Sequence, residues 1–194
     1  MQCIKDTIKN INIVIGCSIG CSYCYARMNN NRFHTIDDFN KPVFFENKLK
    51  MLDNKRHTAY LLTGQSDLSG WNEEWKDKVF SKMKENENTQ YIFLTKRPEN
   101  IKLKETPDNG WFGVTVTSSK EKTRIDYLRN NIKAKHYHIT FEPMFDDVGK
   151  LDLNNISWIV IGTETGNRKG KISSKREWVF NSYNQAKRKI YLYL

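Results

Sequence analysis

No apolar stretch in these 194 residues approaches the roughly 20 needed to cross a bilayer. The N-terminus MQCIKDTIKN has no apolar core of the kind a secretory signal carries, so a cytoplasmic protein with no membrane association is expected. Acid is in deficit, with 22 Asp and Glu against 32 Lys and Arg, for a net charge of +10. Such an excess favours polyanionic partners, nucleic acid among them, although many basic proteins bind none. The chain has no internal repeat, low-complexity tract or linker that would mark a boundary. Hydrophobic residues make 38% and aromatics 12%, which excludes disorder and predicts one domain over 1–194. Cysteine is scarce too: there are four.

What cysteine there is clusters. Cys17, Cys21 and Cys24 stand as C-x3-C-x2-C directly after the apolar run Ile11–Ile15. With no export signal, clustered thiols read as metal ligands before they read as disulfides. Four thiolates close a structural zinc site, whereas three leave a coordination position open. A [4Fe–4S] cluster normally takes four Cys, so three would leave one iron open to a further ligand. The alternative is a zinc site with a distant fourth ligand such as His34. Cys3 lies apart and reads as a small buried hydrophobe.

Near-continuous apolar and β-branched runs recur at Ile11–Ile15, Ala59–Thr63, Tyr91–Thr95, Trp111–Val116, Tyr137–Phe141 and Trp158–Gly162, with a last short run at Ile190–Leu194. Runs of this kind suit strands buried on both faces of a parallel sheet. Helical spacing lies between several of them. It covers Trp71–Asn86, Ser118–Asn131 with Ser118 or Ser119 as N-cap, and Ser174–Arg188; little helix is expected from Pro98 to Gly110. Alternating strands and helices predict an α/β fold with mostly parallel strands. The length is short for a complete eight-unit barrel, for which about 250 residues is typical, and fits an open partial (β/α)6 TIM-like barrel.

The strand ends carry the chemistry. After the runs come Cys17, then Thr63 to Asp67, Thr95-Lys96-Arg97, Thr115 to Ser118, Thr140-Phe141-Glu142 and Thr163-Glu164-Thr165. In β/α barrels the loops at the C-terminal ends of strands form the site, so these residues should meet at one mouth. Arg168, Lys169 and Lys171 should add positive charge to it.

The loop GCSIGCSYCYAR (Gly16 to Arg27) closely resembles the cluster loop of radical S-adenosylmethionine (SAM) enzymes. The blocks LTGQSDLSGW (ending at Trp71), FLTKRPE (Phe93 to Glu99), WFGVTVTS (Trp111 to Ser118), TFEPMFDD (Thr140 to Asp147) and WIVIGTETGNRKGK (Trp158 to Lys171) follow in order. Together they look like the phage- and mobile-element-associated group, most closely the radical SAM mobile pair protein B family, with cluster-loop likeness to spore photoproduct lyase. Against that family the chain looks truncated at its C-terminus.

The resemblance implies a radical SAM fold and enzyme. A [4Fe–4S] cluster on Cys17, Cys21 and Cys24 would cleave SAM reductively to a 5′-deoxyadenosyl radical that takes hydrogen from a substrate. It implies SAM contacts from Tyr23, Gly64, Gln65, Asp67, Lys96, Thr115, Thr117, Glu142 and Glu164. It also implies an external electron donor, with nucleic acid and a partner protein of the same mobile element as candidate partners. The residues alone leave blander readings beside these: Asp67 as a helix cap, Thr115 and Thr117 as strand residues, and Tyr23 and Tyr25 as packing. His136 and His138 face one side of their strand, as a metal pair or as ordinary histidines. A different class of function also fits, a non-catalytic metal-binding accessory protein of a mobile element. A third is an enzyme acting on a polypeptide or small molecule.

Overall fold

The computed structural model describes residues 7–54, 56, 58–165, 168–187 and 191–193. Cys3 and His57 lie outside them, as do Asn167, Arg188 and Lys189. Seven strands form one sheet in the order β1 (Ile8–Asn10), β4 (Ala59–Leu61), β5 (Gln90–Thr95), β6 (Gly110–Thr115), β7 (His136–Phe141), β8 (Ile156–Ile161) and β9 (Tyr191–Tyr193). Every pairing in it is parallel. The spatial order equals the sequence order. Right-handed crossovers then put every connecting helix on the same face, and the sheet curls into an open half-barrel.

Alternation along the strands divides their side chains between two faces. One set, including Tyr91, Phe93, Phe112, Val114, Ile139, Phe141 and Ile159, packs under the helices in the main core. The other, including Ile92, Trp111, Trp158 and Val160, fills the opposite face. Helix α1 (Tyr25–Phe33) follows the cysteine loop. Helix α2 (Glu73–Lys84) starts where the Asn72 side chain accepts the Trp75 N–H at 2.9 Å. Glu73 and Glu74 lie in its first turn and Lys82 and Lys84 in its last, the charge order that suits a helix dipole. It buries Val79, Phe80 and Met83. Phe80 meets Phe93 and Phe112 edge-on, and those two rings stack at 4.9 Å. Each such side chain taken from water contributes about 1.5–3 kcal/mol.

Two expectations change. The run Ile11–Ile15 is not one strand of the main sheet. β1 ends at Asn10, and Val14–Ile15 forms β2, paired antiparallel with β3 (Val43–Phe44) in a separate two-stranded sheet. The chain must leave the sheet there to carry the cysteine loop over its end. The helix expected from Ser118 is a short 3-10 turn (Ser119–Glu121) followed by α3 (Thr123–Asn131), with no serine side-chain cap. Asp146 takes the Ser119 backbone N–H at 2.7 Å and its hydroxyl at 2.8 Å, so that serine is committed across the fold. The last helix, α4, runs Arg176–Ala186. Between Pro98 and Gly110 the regular structure is one 3-10 turn, Pro98–Asn100.

Candidate functional site at the half-barrel mouth

The cysteine loop sits on a small cluster of its own, formed by Ile15, Ala26, Ile36 and Phe39. Gly16 has φ +113, and a Cβ there would come 2.9 Å from the Pro42 backbone, so only glycine fits the entry. Arg27 staples the loop. Its Nη2 donates to the Cys17 carbonyl at 2.8 Å and to Asn40 at 2.9 Å, and its guanidinium lies 5.0 Å from the Phe39 ring centre. The Cys17 N–H donates to the Phe39 carbonyl at 2.6 Å. On the β4 side, the Gly16 N–H donates to the Gln65 carbonyl at 3.0 Å, and the Tyr25 hydroxyl donates to the Gly64 carbonyl at 2.5 Å.

Asp67 is buried behind this loop. Its carboxylate accepts the Ser69 N–H and hydroxyl, the Thr95 hydroxyl and the Lys96 N–H, at 3.0, 2.7, 2.7 and 2.8 Å. It therefore caps the turn Leu68–Gly70 and ties the end of β4 to that of β5. Thr117 donates its N–H and its hydroxyl to Glu121, each at 2.7 Å, and Glu121 pairs with Arg124 at 2.9 Å. Arg124 also reaches the Thr115 carbonyl at 2.7 Å, and the Thr115 side chain is buried. Glu164 holds Arg168 through both oxygens, at 2.6 and 2.8 Å, and these bonds lower its carboxyl below the usual range. Glu142 is exposed, with its side chain against Gly162.

Lys96 differs from these groups. Half-buried at the end of β5, its ammonium lies 5.7 Å from the Tyr23 ring centre. Tyr23 in turn meets Phe145 edge-on at 5.3 Å. Burial, then the neighbouring Cys21, push the Tyr23 phenol up. Among the described residues, neither Lys96 nor Arg97 enters an ion pair. The mouth's acids are spent on internal partners while these two cations are not, a distribution that no single sequence window displays.

The thiols are free, each partly exposed. The Cys24 sulfur accepts the Arg27 N–H at 3.4 Å and so caps α1. The Cys17 thiol is pushed up to about 11, first by burial. Among the described residues, no three His, Cys, Asp or Glu side chains come together in a group that could hold a metal ion. The residues therefore do not fit the cluster. The expected [4Fe–4S] and SAM cofactors, the iron–sulfur and metal-binding character, the radical SAM assignment and the SAM-cleaving enzyme are all corrected on this ground. The histidines form no metal pair either. His136 stacks on Trp111 at 4.4 Å, and buried His138 places Nε2 3.0 Å from the Phe93 carbonyl.

Fold and site define a parallel α/β half-barrel whose mouth carries paired acids and two cations, Lys96 and Arg97, that enter no ion pair among the described residues. Across residues 2–193 the chain matches the family model described as "Protein of unknown function (DUF5131)", and it belongs to that family. This replaces the mobile pair protein assignment. No curated protein and no solved structure matches it. Among the described residues no helix is long and apolar enough to cross a membrane. Of the readings drawn from the sequence, the non-catalytic metal-binding accessory protein of a mobile element accords with these findings better than a SAM-cleaving enzyme does, although among the described residues no group that could hold a metal supports its metal-binding part.

Proposed function

We propose that this is a nucleic-acid-binding accessory protein of the cytoplasm that takes a single strand across the half-barrel mouth. The observation that carries the reading is Lys96: a half-buried residue whose ammonium lies beside an aromatic ring, with no acid paired to it among the described residues. A cation left without a counter-charge in a partly desolvated place is stabilised by an anion from outside. Tyr23 and Phe145 supply ring faces and edges next to it. Phosphate contacts plus base stacking on aromatics is how single strands are held without sequence readout. A single strand is favoured over a duplex because only unpaired bases can reach a ring at a concave mouth. The net charge of +10 supports the same partner class. Arg168 belongs to Glu164, so the positive rim rests on Lys96, Arg97 and the exposed Lys169.

Fluorescence anisotropy with a labelled single-stranded oligonucleotide, titrated over a salt series, tests the reading. Log affinity should fall linearly with log salt, by about 0.7 per phosphate neutralised on a single strand. The Lys96→Ala variant should bind more weakly and lose about one phosphate's share of that slope. No measurable affinity at low salt would end the proposal.

A further inference from the structure

Nucleic-acid binding leaves the thiols of the loop without a task. Two of them are arranged for chemistry of their own. The Cys24 N–H donates to the Cys21 carbonyl at 3.2 Å, closing a turn with Ser22 and Tyr23 at its corner. In a turn of this kind the first and fourth Cα atoms lie within about 7 Å. Disulfides form at Cα separations of roughly 4.4–6.8 Å, so the backbone already holds the pair near bonding distance. Both residues are partly exposed and both thiols are free. Closing the bond asks little of the rest of the loop, which stays anchored by Arg27 on Cys17 and Asn40. Cys17 stands outside the turn, with its backbone pinned to Phe39.

We infer that Cys21 and Cys24 form a dithiol–disulfide exchange site whose substrate is an anionic small-molecule disulfide of the glutathione type. The anionic preference follows from the approach. Tyr23 lies between the two cysteines in the chain and against Cys21, and the Lys96 ammonium stands over its ring, so a carboxylate-bearing disulfide meets positive charge there. In the first step one thiolate of the pair attacks a sulfur of the substrate. A protein–substrate mixed disulfide forms, the substrate S–S bond breaks, and one small thiol leaves. In the second step the other thiolate attacks the mixed disulfide, forms the Cys21–Cys24 bond and releases the second small thiol. The protein loses two electrons and the substrate gains them. The two protons given up by the cysteines end on the two released thiols.

The test is to equilibrate the reduced full-length chain with oxidised glutathione, alkylate the remaining thiols and map the peptides by mass spectrometry. The expected product has Cys21 joined to Cys24, a loss of two hydrogens, with Cys17 alkylated. Cys24→Ser should stop at a glutathione adduct on Cys21, and Cys21→Ser at an adduct on Cys24. Serine keeps an oxygen able to cap α1, so the Cys24 variant should fold, and circular dichroism checks this. Cys17→Ser should form the disulfide as the parent does. The inference is overturned if both cysteines stay alkylatable in excess oxidised glutathione. It is equally overturned if Cys17 is joined in the bond, or if the untreated reduced chain resists alkylation at all three positions, as a bound metal would cause. None of these readouts depends on nucleic acid, so failure here and failure of the binding proposal are distinguishable.

Discussion

The imidazole of His138 occupies the space that Gly113 leaves on the neighbouring strand. The two residues are register partners between β6 and β7, and a Cβ at Gly113 would overlap the ring. The ring cannot swing aside, because Nε2 is held 3.0 Å from the Phe93 carbonyl and Trp158 covers the ring at 5.1 Å.

Gly113→Ala is therefore expected to destabilise the fold by about 1–3 kcal/mol, the ordinary cost of overpacking. Urea unfolding measures it. Adding His138→Ala should remove the overlap, so the double variant should be more stable than the sum of the two single losses. Simple additivity would show that the ring is free to move.

His138 also predicts a pH dependence. Burial, its largest cause, lowers its pKa from 6.5 to about 4. Between those values the unfolded chain binds a proton that the folded chain refuses. Stability from this group is thus complete above pH 6.5 and falls as the pH drops toward 4. The full loss is about 3 kcal/mol, at about 1.4 kcal/mol per pH unit. Carboxylates titrate in part of the same window. The measurement is therefore the difference in urea midpoint between the parent and His138→Gln, which should narrow as the pH falls.

Asp67→Ala should cost about 2–4 kcal/mol, since it strands the Lys96 N–H, the Ser69 N–H and the Thr95 hydroxyl that the carboxylate now accepts. Hydrogen exchange at the Lys96 amide should accelerate along with the fall in melting temperature. A variant that melts like the parent would remove Asp67 from the structural framework of the mouth.

Asn109 is buried, and its side-chain NH2 faces the carbonyls of Met83, Asn86 and Thr89 at 3.0, 3.1 and 3.0 Å. Asn109→Asp replaces that donor with a carboxylate aimed at three oxygens. We expect a loss of about 2–3 kcal/mol, larger above the carboxyl pKa than below it. A melting series at several pH values checks both the size and the direction.

Much of the architecture is legible in the sequence. The apolar runs beginning at Ala59, Tyr91, Trp111, Tyr137, Trp158 and Ile190 mark six of the seven strands of the main sheet to within two residues, because a buried strand leaves a local trace. The N-terminal run misleads. Ile11 and Ile13 are as buried as strand residues, yet the chain between Asn10 and Val14 is bending over the sheet end. Hydrophobicity reports burial, and burial does not distinguish a strand from a packed loop.

The cysteine loop shows the limit most clearly. C-x3-C-x2-C and the blocks after it state which reactive types gather at the strand ends, and spacing alone can state that. Whether three thiols converge on one point depends on how the loop is anchored. The anchors are Arg27 on Cys17 and Asn40, and the helix N–H on Cys24. The acids follow the same rule. Asp67 bonds Thr95 across 28 residues and Asp146 bonds Ser119 across 27, pairings that neither local spacing nor residue type discloses. Periodicity is a property of neighbours in the chain, so the sequence by itself determined the parallel α/β class and the polar strand ends. Electrostatic satisfaction is a property of neighbours in space, so only the tertiary structure decided which charges are spent within the protein and which, like Lys96, stand outside any ion pair among the described residues.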